Sequence, residues 1–112
     1  MHDIVKKMIN YGAIDTEITS LEVNDWFENA TISFKGKGDI GEVKCQFIDC
    51  FEICIDHDKC YCKGRRNDGK LDYGYFIQHI EVNKFDSFFE FKIGAWPLNG
   101  KIICKKIELK IE

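Results

Sequence analysis

The sequence predicts a mainly β protein, all-β or α+β, built from antiparallel strands. Apolar and polar residues alternate over short segments such as 31–35, 89–93 and 107–111, which is typical of strands with one buried face. Glycine-containing connections such as 36–41 and 94–100 separate these segments and suit hairpin turns. We therefore expect antiparallel sheet, packed as a sandwich or closed as a barrel.

A repeated order of segments indicates two similar halves. Four segments of the first half each resemble a segment that follows 56 to 59 residues later. The pairs are 18–24 with 77–83, 32–35 with 89–92, 41–45 with 100–104, and 51–55 with 107–111. The pattern predicts an internal repeat of two four-strand halves, about 17–55 and 76–111, joined by a polar linker loop at 56–72.

The first dozen residues predict a short helix. Ile4, Val5, Met8 and Ile9 lie at helical spacing, with Asp3 as a possible cap and Gly12 as a stop signal. A short strand from Ile4 to Met8 fits the pattern nearly as well.

Length and composition limit the class of protein. With 112 residues, the chain is expected to form a single domain, 1–112. Its acidic balance, a net charge of −3, argues against direct binding of nucleic acid. No apolar run reaches the length of a membrane span or a signal peptide, so we expect a cytoplasmic protein without membrane contact. In that reducing compartment the six cysteines are expected to be free thiols, mostly buried.

The polar linker contains the densest set of potential metal ligands. His57, Cys60 and Cys62 lie close together, with Cys54 upstream as a fourth ligand. The spacing His-x2-Cys-x-Cys lacks the second knuckle of common zinc sites. A small zinc-binding domain is therefore an alternative hypothesis, beside a solvated loop with free thiols and no cofactor.

Catalytic residues are not indicated. The three histidines are scattered, no serine lies in a G-x-S-x-G motif, and no pair of carboxylates is singled out. We expect no enzyme; an uncharacterised enzyme or toxin domain is the third possibility.

Aromatic and acidic residues in probable loops suggest a protein-binding surface, because exposed aromatic side chains often dominate interfaces. The opposing interpretation is that Trp26 and Phe27 fold back over the open end of the sheet. The candidate partner-binding residues are Asp25, Trp26, Phe27, Glu28, Asp72, Tyr73 and Asp86.

A family resemblance rests on a series of spaced residues. These are Ile18, Leu21, Glu22 and Val23; Ile32, Phe34 and Gly36; Val43, Cys45, Phe47 and Cys50; and the segment 103–108. The series resembles small bacterial immunity proteins of polymorphic-toxin and contact-dependent inhibition systems, most closely the immunity protein fifty family. The resemblance implies a cytoplasmic, non-catalytic protein that binds and blocks a cognate toxin domain. A nuclease is one candidate for that toxin. It carries over no interface residue.

Overall fold

The computed structural model describes residues 2–60, 64, 67–69 and 75–112. In this part of the chain, one short helix precedes six strands. The elements are α1 (Asp3–Asn10), β1 (Ile18–Asn24), β2 (Asn29–Lys35), β3 (Glu42–His57), β4 (His79–Phe85), β5 (Phe88–Ala95) and β6 (Leu98–Ile111).

All six strands belong to one antiparallel sheet with the order β1-β2-β3-β6-β5-β4. Two three-stranded meanders, β1-β2-β3 and β4-β5-β6, are thus joined through their long third strands. β2 pairs with β3 only over Glu42 to Ile48. β5 pairs with β6 only over Leu98 to Cys104. Within the described part of the chain, each long strand therefore has neighbouring strands on both sides along only half of its length.

The core lies on one face of the sheet. Alternate residues of the strands supply it, including the fully buried rings of Phe34, Phe47 and Phe91. Phe47 and Phe91 pack with ring centroids 4.6 Å apart. Helix α1 adds Val5 and Met8 to the same apolar cluster. Burial of these side chains is the main source of stability, at about 1.5–3 kcal/mol for each large residue.

The segments that lead into the two edge strands meet each other. Glu17 and Phe76 form an isolated antiparallel bridge. Beside it, the N–H of Asp15 donates to the carbonyl of Ile77 at 2.7 Å, and the N–H of Ile77 donates to the carbonyl of Thr16 at 2.8 Å. Ile77 is fully buried, so this pairing closes over part of the core.

Helix α1 confirms the predicted N-terminal helix, but its cap differs from the expected one. The ring Nδ1 of His2, not the Asp3 carboxylate, accepts the N–H of Ile4 at 3.1 Å. Gly12 follows the helix with a φ of +93°, a conformation that favours glycine. The chain therefore turns where the sequence predicted.

The number and arrangement of strands correct the sequence prediction. The mainly β, antiparallel class is confirmed, but the described residues form one sheet, not two facing sheets or a closed barrel. Seven or eight strands were expected and six are found among the described residues. Segments 100–104 and 107–111 both lie within β6, and segments 41–45 (apart from Gly41) and 51–55 both lie within β3. A bulge between Cys50 and Glu52 lets that strand bend without ending. The prediction of four strands in each half was wrong, because each meander has three, and β3 extends through Asp56 and His57 into the predicted linker. The internal repeat itself and the domain limits remain predictions.

Helix length also bears on membrane insertion. Among the described residues, no helix has the length and apolar composition needed to cross a membrane.

Truncation of a core ring should be costly. We expect Phe91→Ala to lower the free energy of unfolding by about 3–5 kcal/mol, because it leaves a cavity beside Phe47. Phe51→Ala, at an exposed ring, should cost less than about 1 kcal/mol. Urea denaturation followed by circular dichroism measures both. Equal losses for the two variants would contradict the assignment of the core.

Candidate functional site

The tip of the β1–β2 hairpin presents two aromatic side chains to solvent. Trp26 is 96% exposed and Phe27 is 69% exposed, the highest values among the large apolar residues that the structure describes. Neither ring folds back over the end of the sheet, so that interpretation of the sequence was wrong. Because these two rings remain in water, they add little hydrophobic stabilisation to the folded protein. Neighbouring exposed aromatic side chains of this kind are typical of protein-binding surfaces.

The backbone of this tip is strained. Asp25, Trp26 and Phe27 have φ values of 53°, 59° and 67°, all in the left-handed region. For a residue other than glycine this costs about 1–2 kcal/mol, and short hairpins usually place Asn or Gly there. Strained backbone at exposed aromatic residues is typical of a site selected for function.

Hydrogen bonds hold the tip in this conformation. The carboxylate Oδ2 of Asp25 accepts from the Asn29 side-chain Nδ2 at 2.7 Å, and its carbonyl accepts from the Glu28 N–H at 3.1 Å. The carbonyl of Glu28 in turn accepts from the N–H of Cys50 on β3 at 2.7 Å. The tip is therefore fixed to the long central strand, and Asp25 serves the turn itself.

A third exposed ring, Phe51, follows directly on Cys50 and was not predicted as a site residue. It is the additional residue of the β3 bulge and is 63% exposed, with the Lys105 ammonium 5.8 Å from its ring centroid. Strict alternation from Phe47 would have placed both Asp49 and Phe51 in the core. A buried Asp49 is implausible, and this was the available signal for a bulge. We call Trp26, Phe27 and Phe51 the aromatic corner.

The other candidate residues do not join this corner. Asp86 lies in the exposed turn between β4 and β5, on the opposite side of the β3–β6 pair from the β1–β2 hairpin. Asp72 and Tyr73 lie outside the described residues. The structure thus brings together residues 25–28 and separates them from Asp86.

The proposed metal ligands are dispersed or already engaged. His57 has its Nδ1 3.0 Å from the carbonyl of Asp58 and its Nε2 3.2 Å from the hydroxyl of Tyr75. Cys54 and Cys60 are exposed, and Cys62 lies outside the described residues. Within the described ranges, no group of three or more His, Cys, Asp or Glu residues is placed to hold a metal ion.

The start of the linker is instead ordered by a carboxylate. Asp58 accepts the backbone N–H of Cys60 at 2.8 Å and the indole N–H of Trp96 at 3.1 Å. These bonds, the one from Cys60 first, hold the pKa of Asp58 below its usual value. The arrangement is a structural anchor between β3 and the β5–β6 turn.

The cysteines divide by burial. Cys45 and Cys104 are fully buried, and removal from water raises the pKa of the Cys104 thiol to about 12 and that of Cys45 further still. Cys54 and Cys60 are exposed. The expectation of buried thiols is therefore confirmed for Cys45 and Cys104 and is wrong for Cys54 and Cys60.

Comparison with known proteins defines the class. The fold is shared with the crystal structure of an uncharacterized protein from Neisseria gonorrhoeae, at a TM-score of 0.64 and 15% identity over 87% of this chain and 91% of that chain. That likeness shows the fold alone. A family model for a small immunity protein of a toxin–immunity system matches residues 1–111. A search of curated proteins gave no match.

The chain belongs to the family of immunity protein PIM7. The predicted class, a small immunity protein, is confirmed, while the matching family is PIM7 where the sequence had suggested immunity protein fifty.

Thiol reactivity should follow burial. We expect a thiolate-directed reagent at pH 8 to modify Cys54 and Cys60 in the native protein, whereas Cys45 and Cys104 react only after unfolding, since raised pKa values and burial both suppress their thiolates. Mass spectrometry of labelled peptides gives the site of each modification. Native labelling of Cys104 as fast as Cys54 would contradict the described core.

Relief of strain should show at the hairpin tip. We expect Trp26→Gly to leave the free energy of unfolding unchanged or raise it by up to about 1 kcal/mol, because glycine adopts positive φ without strain. The β-branched Trp26→Val should lower it by about 1 kcal/mol. Urea denaturation of both variants measures the difference, and a clear loss for Trp26→Gly would show that the indole itself stabilises the fold.

Proposed function

We propose that this protein acts in the cytoplasm as a non-catalytic inhibitor that binds a cognate toxin domain through the β1–β2 hairpin tip. The observation that carries the proposal is the pair of exposed rings, Trp26 and Phe27, on strained backbone. The family supplies the kind of partner. Inhibition then requires only that the bound tip covers or distorts the working surface of the toxin.

The energetics of such a contact are favourable. A tryptophan and a phenylalanine each bury about 150–250 Å² when covered, which supplies several kcal/mol at about 25 cal/mol per Å². Because the tip is already fixed by its bonds to Asn29 and Cys50, little conformational entropy is lost when the partner binds. The strain carried by the free protein is therefore a preorganised binding conformation.

Charge on the tip favours a basic partner surface. Glu28 is exposed and forms no ion pair among the described residues, while Asp25 is held by Asn29. A toxin that acts on nucleic acid presents a basic cleft, and a nearby carboxylate speeds association with such a surface. Charge reversal at Glu28 therefore tests the contribution of the tip carboxylates to the rate of association. Charge reversal at Asp25 would also remove its hydrogen bond to Asn29 and disturb the turn.

The partner is sought by affinity capture. The tagged protein, expressed in its native host, is recovered, and the proteins that accompany it are identified by mass spectrometry. The proposal expects one stoichiometric partner, the C-terminal part of a large exported protein. A blank from cells shown to express such toxins would count against it.

The aromatic tip should dominate affinity. With the captured toxin domain, we expect Trp26→Ala to weaken binding at least about 100-fold, as a central aromatic anchor does, with the free energy of unfolding nearly unchanged. Phe85→Ala is the matched control, because Phe85 is also an exposed ring at a hairpin end, on the other meander. Calorimetry measures both affinities, and the same variants are compared for protection of cells against the toxin. Equal affinity losses at the two hairpins would remove the β1–β2 tip as the specific site.

A further inference from the structure

In the second half of β3, one edge has no neighbouring strand among the residues that the structure describes. β2 pairs with β3 up to Ile48, and the last backbone bond from that side is the Cys50 N–H to the carbonyl of Glu28. Among the described residues, the stretch of β3 from Glu52 to Asp56 has its strand pairing with β6 alone. An unpaired strand edge can accept an added strand from another protein.

The register shows which backbone groups face this open side. The N–H of Asp58 donates to the carbonyl of Pro97 at 2.8 Å, one step beyond the His57–Leu98 pair. Because bonded and non-bonded pairs alternate in antiparallel sheet, Cys54 and Asp56 bond to β6. Ile53 and Ile55 therefore direct their N–H and C=O groups to the open side, where the described part of the chain offers them no partner.

This open edge begins where the aromatic corner ends. A strand added beside Ile53 and Ile55 would continue the line of β2, with its end next to the β1–β2 tip. Because the Cys50–Glu28 bond joins the tip to β3 at this point, one partner can reach both. The open edge is thus continuous with the surface of the proposed function.

Acidic side chains beside the open edge of β3 indicate which kind of strand would bind there. Glu52 and Asp56 lie exposed on β3, and Glu28 lies at the tip. Of these three carboxylates, only that of Glu52 forms an ion pair with a described residue, Lys101, at 3.6 Å. Uncompensated carboxylates favour a strand that carries lysine or arginine.

The other open edge has the opposite character. β6 continues beyond Cys104 without β5 beside it, and exposed Lys105, Lys106 and Lys110 flank that stretch. Lysines along an edge oppose the addition of strands. β3 carries no lysine from Glu52 to His57, so the two edges are not equivalent.

We propose that the toxin contributes a basic, extended segment that adds as a strand to β3 at Ile53 and Ile55. This inference rests on the proposed function and names how the partner is held there. The main-chain bonds give affinity that depends little on sequence, while the aromatic corner and the carboxylates give selectivity.

Amide hydrogen exchange observed by NMR tests the inference with controls inside the same strand. In the free protein, Ile53 and Ile55 should exchange quickly, and Cys54 and Asp56 slowly. In the complex with the captured toxin domain, exchange at Ile53 and Ile55 should slow by at least about tenfold, with little change at Cys54. A seven-residue peptide of alternating lysine and valine should slow the same two amides, and a glutamate–valine peptide should not.

The outcomes separate this inference from the proposed function. A complex that loses affinity with Trp26→Ala but leaves Ile53 and Ile55 exchanging quickly overturns the strand addition and retains the hairpin site. Slow exchange at both amides in the free, dilute protein shows that the edge is already covered and also overturns it. Slowing that appears only as the concentration of the free protein rises assigns the edge to a second copy. Failure to form any toxin complex overturns both proposals.

Discussion

The antiparallel pairing of β3 with β6 is the interaction on which the rest of the structure depends. These two strands, Glu42–His57 and Leu98–Ile111, form the middle of the sheet, and their pairing joins the two meanders. The backbone bonds between residues 15–18 and 75–77 and the contact of Phe47 with Phe91 add further links. β2 lies beside β3 and β5 lies beside β6, so the two hairpins are on opposite sides of the pair, and β2 and β5 cover different halves of its length. The same offset leaves the open edge beyond Ile48.

The sequence predicted those features that local patterning determines. Alternation identified the strands, helical spacing identified α1, and apolar residues in a polar connection identified Trp26 and Phe27. Strand number and sheet arrangement were not predictable in this way, because they depend on which segments continue through a bulge and which strands pair at long range. Phe51 was missed for that reason. Asp86 was grouped with the tip because similar segments suggested similar positions, whereas the meanders place their hairpins apart.

Stability and the proposed binding function make opposite demands on the β1–β2 tip. A hairpin selected for stability alone would carry glycine or asparagine where Asp25, Trp26 and Phe27 adopt positive φ. The fold tolerates this strain because the core of Phe34, Phe47 and Phe91 is well buried and because bonds to Asn29 and Cys50 hold the turn. The tip is therefore an exposed element that hydrogen bonds hold in place, and the core that supports it lies apart from the proposed binding surface.

The position of β6 in the sheet has a consequence for the order of folding. β6 follows the other five strands along the chain, yet it lies between β3 and β5. Without β6, the meander β1-β2-β3 is complete, but the β4–β5 hairpin lacks the strand that joins it to the sheet, and the backbone groups of β3 that face β6 have no partner in the sheet. The central pairing of the sheet therefore joins segments that are distant in sequence, and such pairings form more slowly than local hairpins.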